Sequence, residues 1–307
     1  MSTVKKIQYN VKLTALALMA LFFSASSLAG EPDKTGLTAQ KPLIITTIKP
    51  LAIIAKSAVA DNARVEYLQA AVQSAHEVSF PVSALNRIEQ ANLIIWIGDG
   101  FEARIAKPMA LLSEARRLTV MELDLLTANK NQSEEIDKEA GSDDDHHHNL
   151  RFDPHVWLNP ANANIVASII QQRLGLAISP IMESAQIEQL KADLEPYKNK
   201  SFLTHHDAYA HFYKAFGLGG GLSIRDASGA SQGARSQYRL RQRAQEVDAS
   251  CIFIEPQYAD KDAQVLAREL QLPLTILDPQ GFDQPLNNNS YGEFMTGLVA
   301  QFKVCFD

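Results

Sequence analysis

Cysteine is close to absent: Cys251 and Cys305 are the only two in 307 residues. They lack the close C-x-x-C pairing usual in structural zinc sites, so a thiolate metal framework ranks low. An even pair in an exported chain reads instead as one disulfide. Basic residues are also outnumbered. There are 29 Lys and Arg against 35 Asp and Glu, a net charge of −6, and no long basic run occurs. Nucleic-acid phosphates demand a basic footprint, so that class of partner is disfavoured. No apolar stretch beyond the N-terminal region is long enough to span a membrane. Histidine is scarce too, and all eight fall in or beside four segments. The remaining composition is ordinary for a soluble protein with a full-sized core, 46% apolar. The length predicts about two domains.

Residues 1–29 read as a cleavable signal peptide rather than as part of the fold. Lys5, Lys6 and Lys12 make a basic start, Leu13 to Phe23 an apolar stretch too short to span a bilayer well, and Ser27-Leu28-Ala29 a small-residue cleavage site. An uncleaved membrane anchor is the lesser alternative. Glu31 stands where a lipidated cysteine would follow Leu28-Ala29-Gly30, which argues against a lipid anchor. The expected location is therefore an oxidising compartment, in soluble form. Residues 30–41 read as a polar tail.

From residue 42 the pattern alternates strand and helix. Leu43 to Thr47, Arg64 to Leu68, Leu93 to Ile97 and Leu118 to Leu123 read as strands. Pro50 to Ala60, Pro81 to Gln90 and Phe101 to Leu112 read as helices. Residues 129–149 hold seven acidic residues followed by His146-His147-His148, too polar to bury a core, and read as a mobile loop. Residues 160–178 read as a long linker helix. The alternation then resumes, with strands at Ser201 to Thr204, Gly221 to Ile224, Cys251 to Ile254 and Pro273 to Leu277. Helices are expected at Ala208 to Phe216, Ser231 to Val247, Lys261 to Leu270 and Tyr291 to Cys305. Such alternation means parallel βαβ units. The expected fold is α/β with two lobes, 42–159 and 179–307, each a mainly parallel sheet of about four strands flanked by helices.

Three histidines lie far apart in sequence at the ends of apolar runs: His76, His155 and His206. Imidazoles suit zinc better than calcium, magnesium or manganese. His76, His206 and Asp278 each fall just beyond the C-terminal end of an expected strand, where open α/β sheets bind ligands. A cleft between two lobes would gather them. A lone histidine is more often structural than ligating, and spacing alone leaves the three near even, because no H-E-x-x-H motif is present.

Six segments in order carry a closer resemblance: Thr46 to Leu51; Ser74-Ala75-His76-Glu77 followed by Leu93 to Gly98; Asp153-Pro154-His155-Val156-Trp157-Leu158-Asn159-Pro160; His206-Asp207-Ala208-Tyr209; Phe253-Ile254-Glu255-Pro256-Gln257-Tyr258; and Leu277-Asp278-Pro279. Together they resemble the metal-binding solute-binding proteins of ABC importers, in the zinc-carrying branch, from about residue 42 to 307. The resemblance implies a periplasmic, monomeric zinc carrier that delivers its ion to a membrane permease and is not an enzyme. It implies His76, His155 and His206 as zinc ligands, with Asp278 or water in the fourth position. Manganese-carrying relatives usually have Glu where this chain has His206.

The resemblance also places His205 outside the ligand set, while His211, five residues beyond His206 on an expected helix, reads as a partly buried side chain. It likens residues 143–148 to an accessory zinc-capturing loop, with a solvated loop that binds nothing as the equal alternative. Two departures stand out. Ala75 replaces a Glu common before the first histidine, and the segment from Pro180 to Phe202 is shorter than usual. Rival functions are a manganese or adhesin-type member of the same family and a secreted zinc hydrolase. The hydrolase would need a general base, for which Glu77 and Glu255 are the nearby candidates.

Overall fold

The structure is a computed structural model that describes residues 40–70, 82–123, 153–258 and 261–307. Its first half runs β1 (Leu43–Thr46), α1 (Lys49–Val59), β2 (Arg64–Tyr67), α2 (Val82–Gln90), β3 (Leu93–Trp96), α3 (Ala106–Ala110) and β4 (Arg117–Thr119). Two helices follow, α4 (Pro160–Arg173) and α5 (Ser184–Leu194). The second half runs β5 (Leu203–His206), α6 (Ala210–Phe216), β6 (Leu222–Arg225), α7 (Ala234–Glu246), β7 (Ile252–Ile254), α8 (Lys261–Leu270), β8 (Leu274–Ile276) and α9 (Ser290–Lys303).

Each half builds one four-stranded parallel sheet, in the orders β2-β1-β3-β4 and β6-β5-β7-β8. The two orders are the same pattern repeated. Both reverse direction between the first and third strand of their half, which opens a crevice at the carboxyl ends there.

Side chains alternate across the first sheet as strand geometry requires. Ile44, Leu93, Ile95 and Leu118 face a central core, while Ile45, Ile94 and Trp96 face a second cluster with Ile88 and Met109. In the second sheet, Leu203, Ile224 and Ile252 pack on Leu240, Ala244, Ala263 and Leu266. The central core is continuous between the halves. It runs from Ile44, through Leu51 on α1 and Ile170 on α4, to Phe202, Phe253 and Phe302.

α1 explains this continuity. Pro50 sits in its first turn, where the missing N–H costs nothing, and eight of its residues are buried. It packs against both α4 and α9. The side chain of Asn159 caps α4 by accepting from the Ala161 N–H at 2.9 Å, and Gln171 of α4 donates to the Ala58 carbonyl at 3.1 Å.

Several expected boundaries shift. The linker helix ends at Arg173, not 178, because Gly175 turns the chain with a φ of 65°. The stretch from Phe101 to Leu112 is a 3-10 turn, Ala103–Ile105, followed by the five-residue α3. β5 is Leu203–His206, two residues later than expected, so His206 is the last residue of a strand rather than the second residue beyond it. The acidic loop at 129–149 lies outside the described residues.

Cys251 and Cys305 are joined, with their Cα atoms 5.7 Å apart. The bridge ties the chain just beyond α9 to the residue just before β7.

Candidate metal centre

His206 ends β5 and Glu255 immediately follows β7, so the two flank the crevice of the second sheet. Both are buried, at 2% and 1% exposure. The His206 Nδ1 lies 2.5 Å from Glu255 Oε1, and the other carboxylate oxygen accepts from Gln257 Nε2 at 2.6 Å. Burial alone would favour the neutral His206 ring. The charge and hydrogen bond of Glu255 outweigh it, and the net shift of the His206 pKa is upward.

His155 arrives from the other side, immediately before the 3-10 turn Val156–Leu158. Asp153 sets its ring. Asp153 Oδ1 accepts from the His155 backbone N–H at 3.0 Å and from Nδ1 at 2.7 Å. Phe101 and Trp157 pack edge-on against the same ring, with centroids at 6.4 and 5.2 Å. Trp157 is held in turn by a hydrogen bond from Nε1 to the Pro279 carbonyl, 2.7 Å long.

The outcome is that His155 Nε2 and His206 Nε2 face each other at 3.3 Å. Each ring has a carboxylate at Nδ1, which places the proton there and turns the Nε2 lone pair inward. Two nitrogens bound at about 2.0–2.1 Å to a tetrahedral zinc ion stand about 3.3–3.4 Å apart. The observed spacing is that of two ligands of one such ion.

The other expected site residues divide. His76 and His146, His147 and His148 lie outside the described residues, as do Ala75 and Glu77. Asp278 is buried, and both its carboxylate oxygens accept backbone N–H groups, Oδ1 from Gln280 at 2.9 Å and Oδ2 from Phe282 at 2.5 Å. It therefore braces the turn after β8. Among the described residues no group of three or more His, Cys, Asp or Glu side chains is placed to hold an ion together.

His205 stacks on Tyr258, with centroids 4.3 Å apart, and the same Tyr258 ring meets His206 edge-on at 5.6 Å. Burial pushes the His205 pKa down to about 4. His211 is fully buried rather than partly so. The carboxylate of Glu255, weighed from the sequence as a hydrolytic base, has one oxygen on His206 and the other on Gln257. Spacing could not reveal the Asp153–His155 and Glu255–His206 pairs as orienting contacts. The second joins residues 49 positions apart.

The sequence matches the family described as zinc-uptake complex component A, periplasmic (ZnuA), over residues 44–180 and 183–305. The chain belongs to the ZnuA family. That family is one of solute-binding transport proteins rather than of enzymes. The high-affinity zinc uptake system protein ZnuA of Yersinia pestis is 29% identical over 85% of this chain and 90% of its own length. A crystal structure of ZnuA shares the fold with a TM-score of 0.65 at 18% identity, covering 87% of this chain and all of its own. The laminin-binding protein Lmb of Streptococcus agalactiae, described as having adhesin and metal transporting activity, shares it with a TM-score of 0.64 at 20% identity. The match covers 85% of this chain and all of Lmb. The duplicated sheet pattern and the crevice between β5 and β7 are thus features of a fold that ZnuA and Lmb also have.

Proposed function

We propose that this protein captures one zinc ion between its halves and delivers it to the membrane permease of an ABC importer. The observation that carries the reading is the pair of Nε2 atoms of His155 and His206, 3.3 Å apart and each backed by a carboxylate. His76 is the third ligand, and Asp278 or water completes the tetrahedron. Imidazole nitrogens favour zinc over manganese, which prefers oxygen ligands. The relative in Yersinia pestis is named for high-affinity zinc uptake.

Residues 1–29 direct export and are removed, 30–41 form a tail, 42–159 and 179–307 are the two lobes, and 160–178 connects them. The working form is a periplasmic monomer. The disulfide suits that oxidising compartment. Among the described residues no helix is long and apolar enough to cross a membrane. The loop at 129–149, with His146, His147 and His148, is an accessory that gathers zinc weakly.

The test compares the mature protein with a variant lacking residues 132–148. Competitive titration should give one tight zinc per chain in both, with weaker extra binding only in the intact loop. The loaded protein should stimulate the ATPase of the zinc importer from the same cell. A chain that takes up no stoichiometric zinc, or one whose tight site disappears with the loop, overturns the reading.

A further inference from the structure

We infer that His211 is a positioning residue for the metal centre: it grips the backbone of Asp153, and Asp153 aims His155. The inference rests on the zinc reading above and deepens it.

His211 lies on α6, in the core, with 2% of its surface exposed. Its Nε2 lies 3.1 Å from the Asp153 carbonyl oxygen and 3.7 Å from Asp153 Oδ2. Its Nδ1 lies 3.5 Å from Nδ2 of Asn162, a buried residue of α4. A carbonyl oxygen can only accept, so the ring proton sits on Nε2 and donates to Asp153. Nδ1 then presents a lone pair to the Asn162 amide N–H. A neutral imidazole, with one donor and one acceptor, satisfies both neighbours at once.

An apolar ring of the same size would fill the space equally well. It would leave the Asp153 carbonyl without this donor, and burying a polar ring here is costly unless its hydrogen bonds are made. The choice of histidine is therefore about the hydrogen bonds. The Nε2 bond ends on the residue that fixes His155, since the same Asp153 accepts from both the N–H and the Nδ1 of His155. Pro154 stands between them and has no N–H with which to anchor the backbone itself. The path runs from Asn162 on α4, through His211 on α6, to Asp153 and then to the ring that faces His206. Residues of two helices thus hold the aim of a ligand carried on an irregular segment. Metal ligands need placement within about 0.5 Å, and removing outer partners typically weakens metal binding by about 10–100-fold.

The experiment compares His211→Phe, which keeps a ring but loses the donor, with His211→Gln, which keeps an N–H at the far end of the side chain. Zinc affinity is read by competition, and site geometry by the visible bands of the cobalt-loaded protein. The Phe variant should bind zinc about tenfold more weakly, with altered cobalt bands, while its zinc-free form melts near wild type. The Gln variant should restore both readings. Wild-type affinity and unchanged bands in the Phe variant overturn the proposal.

Should the Phe variant fail to fold, long-range proton–nitrogen correlations in the wild-type protein decide instead. A proton on His211 Nε2 is expected, and one on Nδ1 overturns the inference. Absence of zinc binding by the wild type would strike the functional reading and leave the tautomer result standing, so the two failures are distinguishable.

Discussion

A Cys251→Ser/Cys305→Ser protein should melt roughly 10 °C below wild type and still bind zinc nearly as well. The two cysteines are 54 residues apart. Closing a loop of that length restricts the unfolded chain by an amount equivalent to about 4 kcal/mol of stability. For a chain of this size each kcal/mol moves Tm by about 2–4 °C. The site should be spared because the bridge and the centre lie at opposite ends of β7. Cys251 precedes the strand and Glu255 follows it, a distance of about 13 Å at the rise of an extended chain. Paired melting curves and zinc titrations on oxidised wild type and the variant check this. A variant that keeps its Tm, or loses zinc along with it, contradicts the separation of roles.

The second large effect concerns the centre itself. His155→Ala/His206→Ala should lower zinc affinity by at least about 100-fold, since losing ligands must cost more than losing the groups that orient them. Zinc should also stop protecting the protein against heat. A ligand at 100 times its Kd raises stability by about 2.7 kcal/mol, and that increment should vanish in the variant. Thermal melts with and without zinc read this directly. If the double variant binds zinc like wild type, the ion sits elsewhere.

Much of this architecture is legible in the residues, and the parts that are not have identifiable causes. β1 and β3 are apolar runs, largely β-branched, bounded by polar or turn residues, and α1 opens on Lys49-Pro50, so local chemistry alone marks them. β5 is displaced because its limits are set by partners. His206 pairs with Arg225 of β6, a contact no local pattern encodes. The stretch from Phe101 to Leu112 has helical spacing, but Pro108 sits inside it and the chain settles for a 3-10 turn and a short helix.

At the site, strand-end position brings His206 into view, while His155 is picked out by the family resemblance of its segment and not by any local pattern. Their orientation depends on Asp153, Glu255, Trp157 and His211, whose roles exist only once distant segments meet. His211 is the clearest case. Its sequence position on a helix suggests filler, and its meaning lies in an acceptor 58 residues away.

The uninterrupted core has a thermodynamic consequence. Ile44 and Leu51 share one apolar cluster with Phe253 and Phe302, and this shared cluster is larger than the private one on the outer face of either sheet. The halves should therefore denature together, as a single cooperative event with calorimetric and van't Hoff enthalpies in agreement. Two resolved heat-absorption peaks would show otherwise. A lesion at the far C-terminus would then loosen the first sheet as much as the second, and a zinc ion held at one point would protect amides throughout the chain.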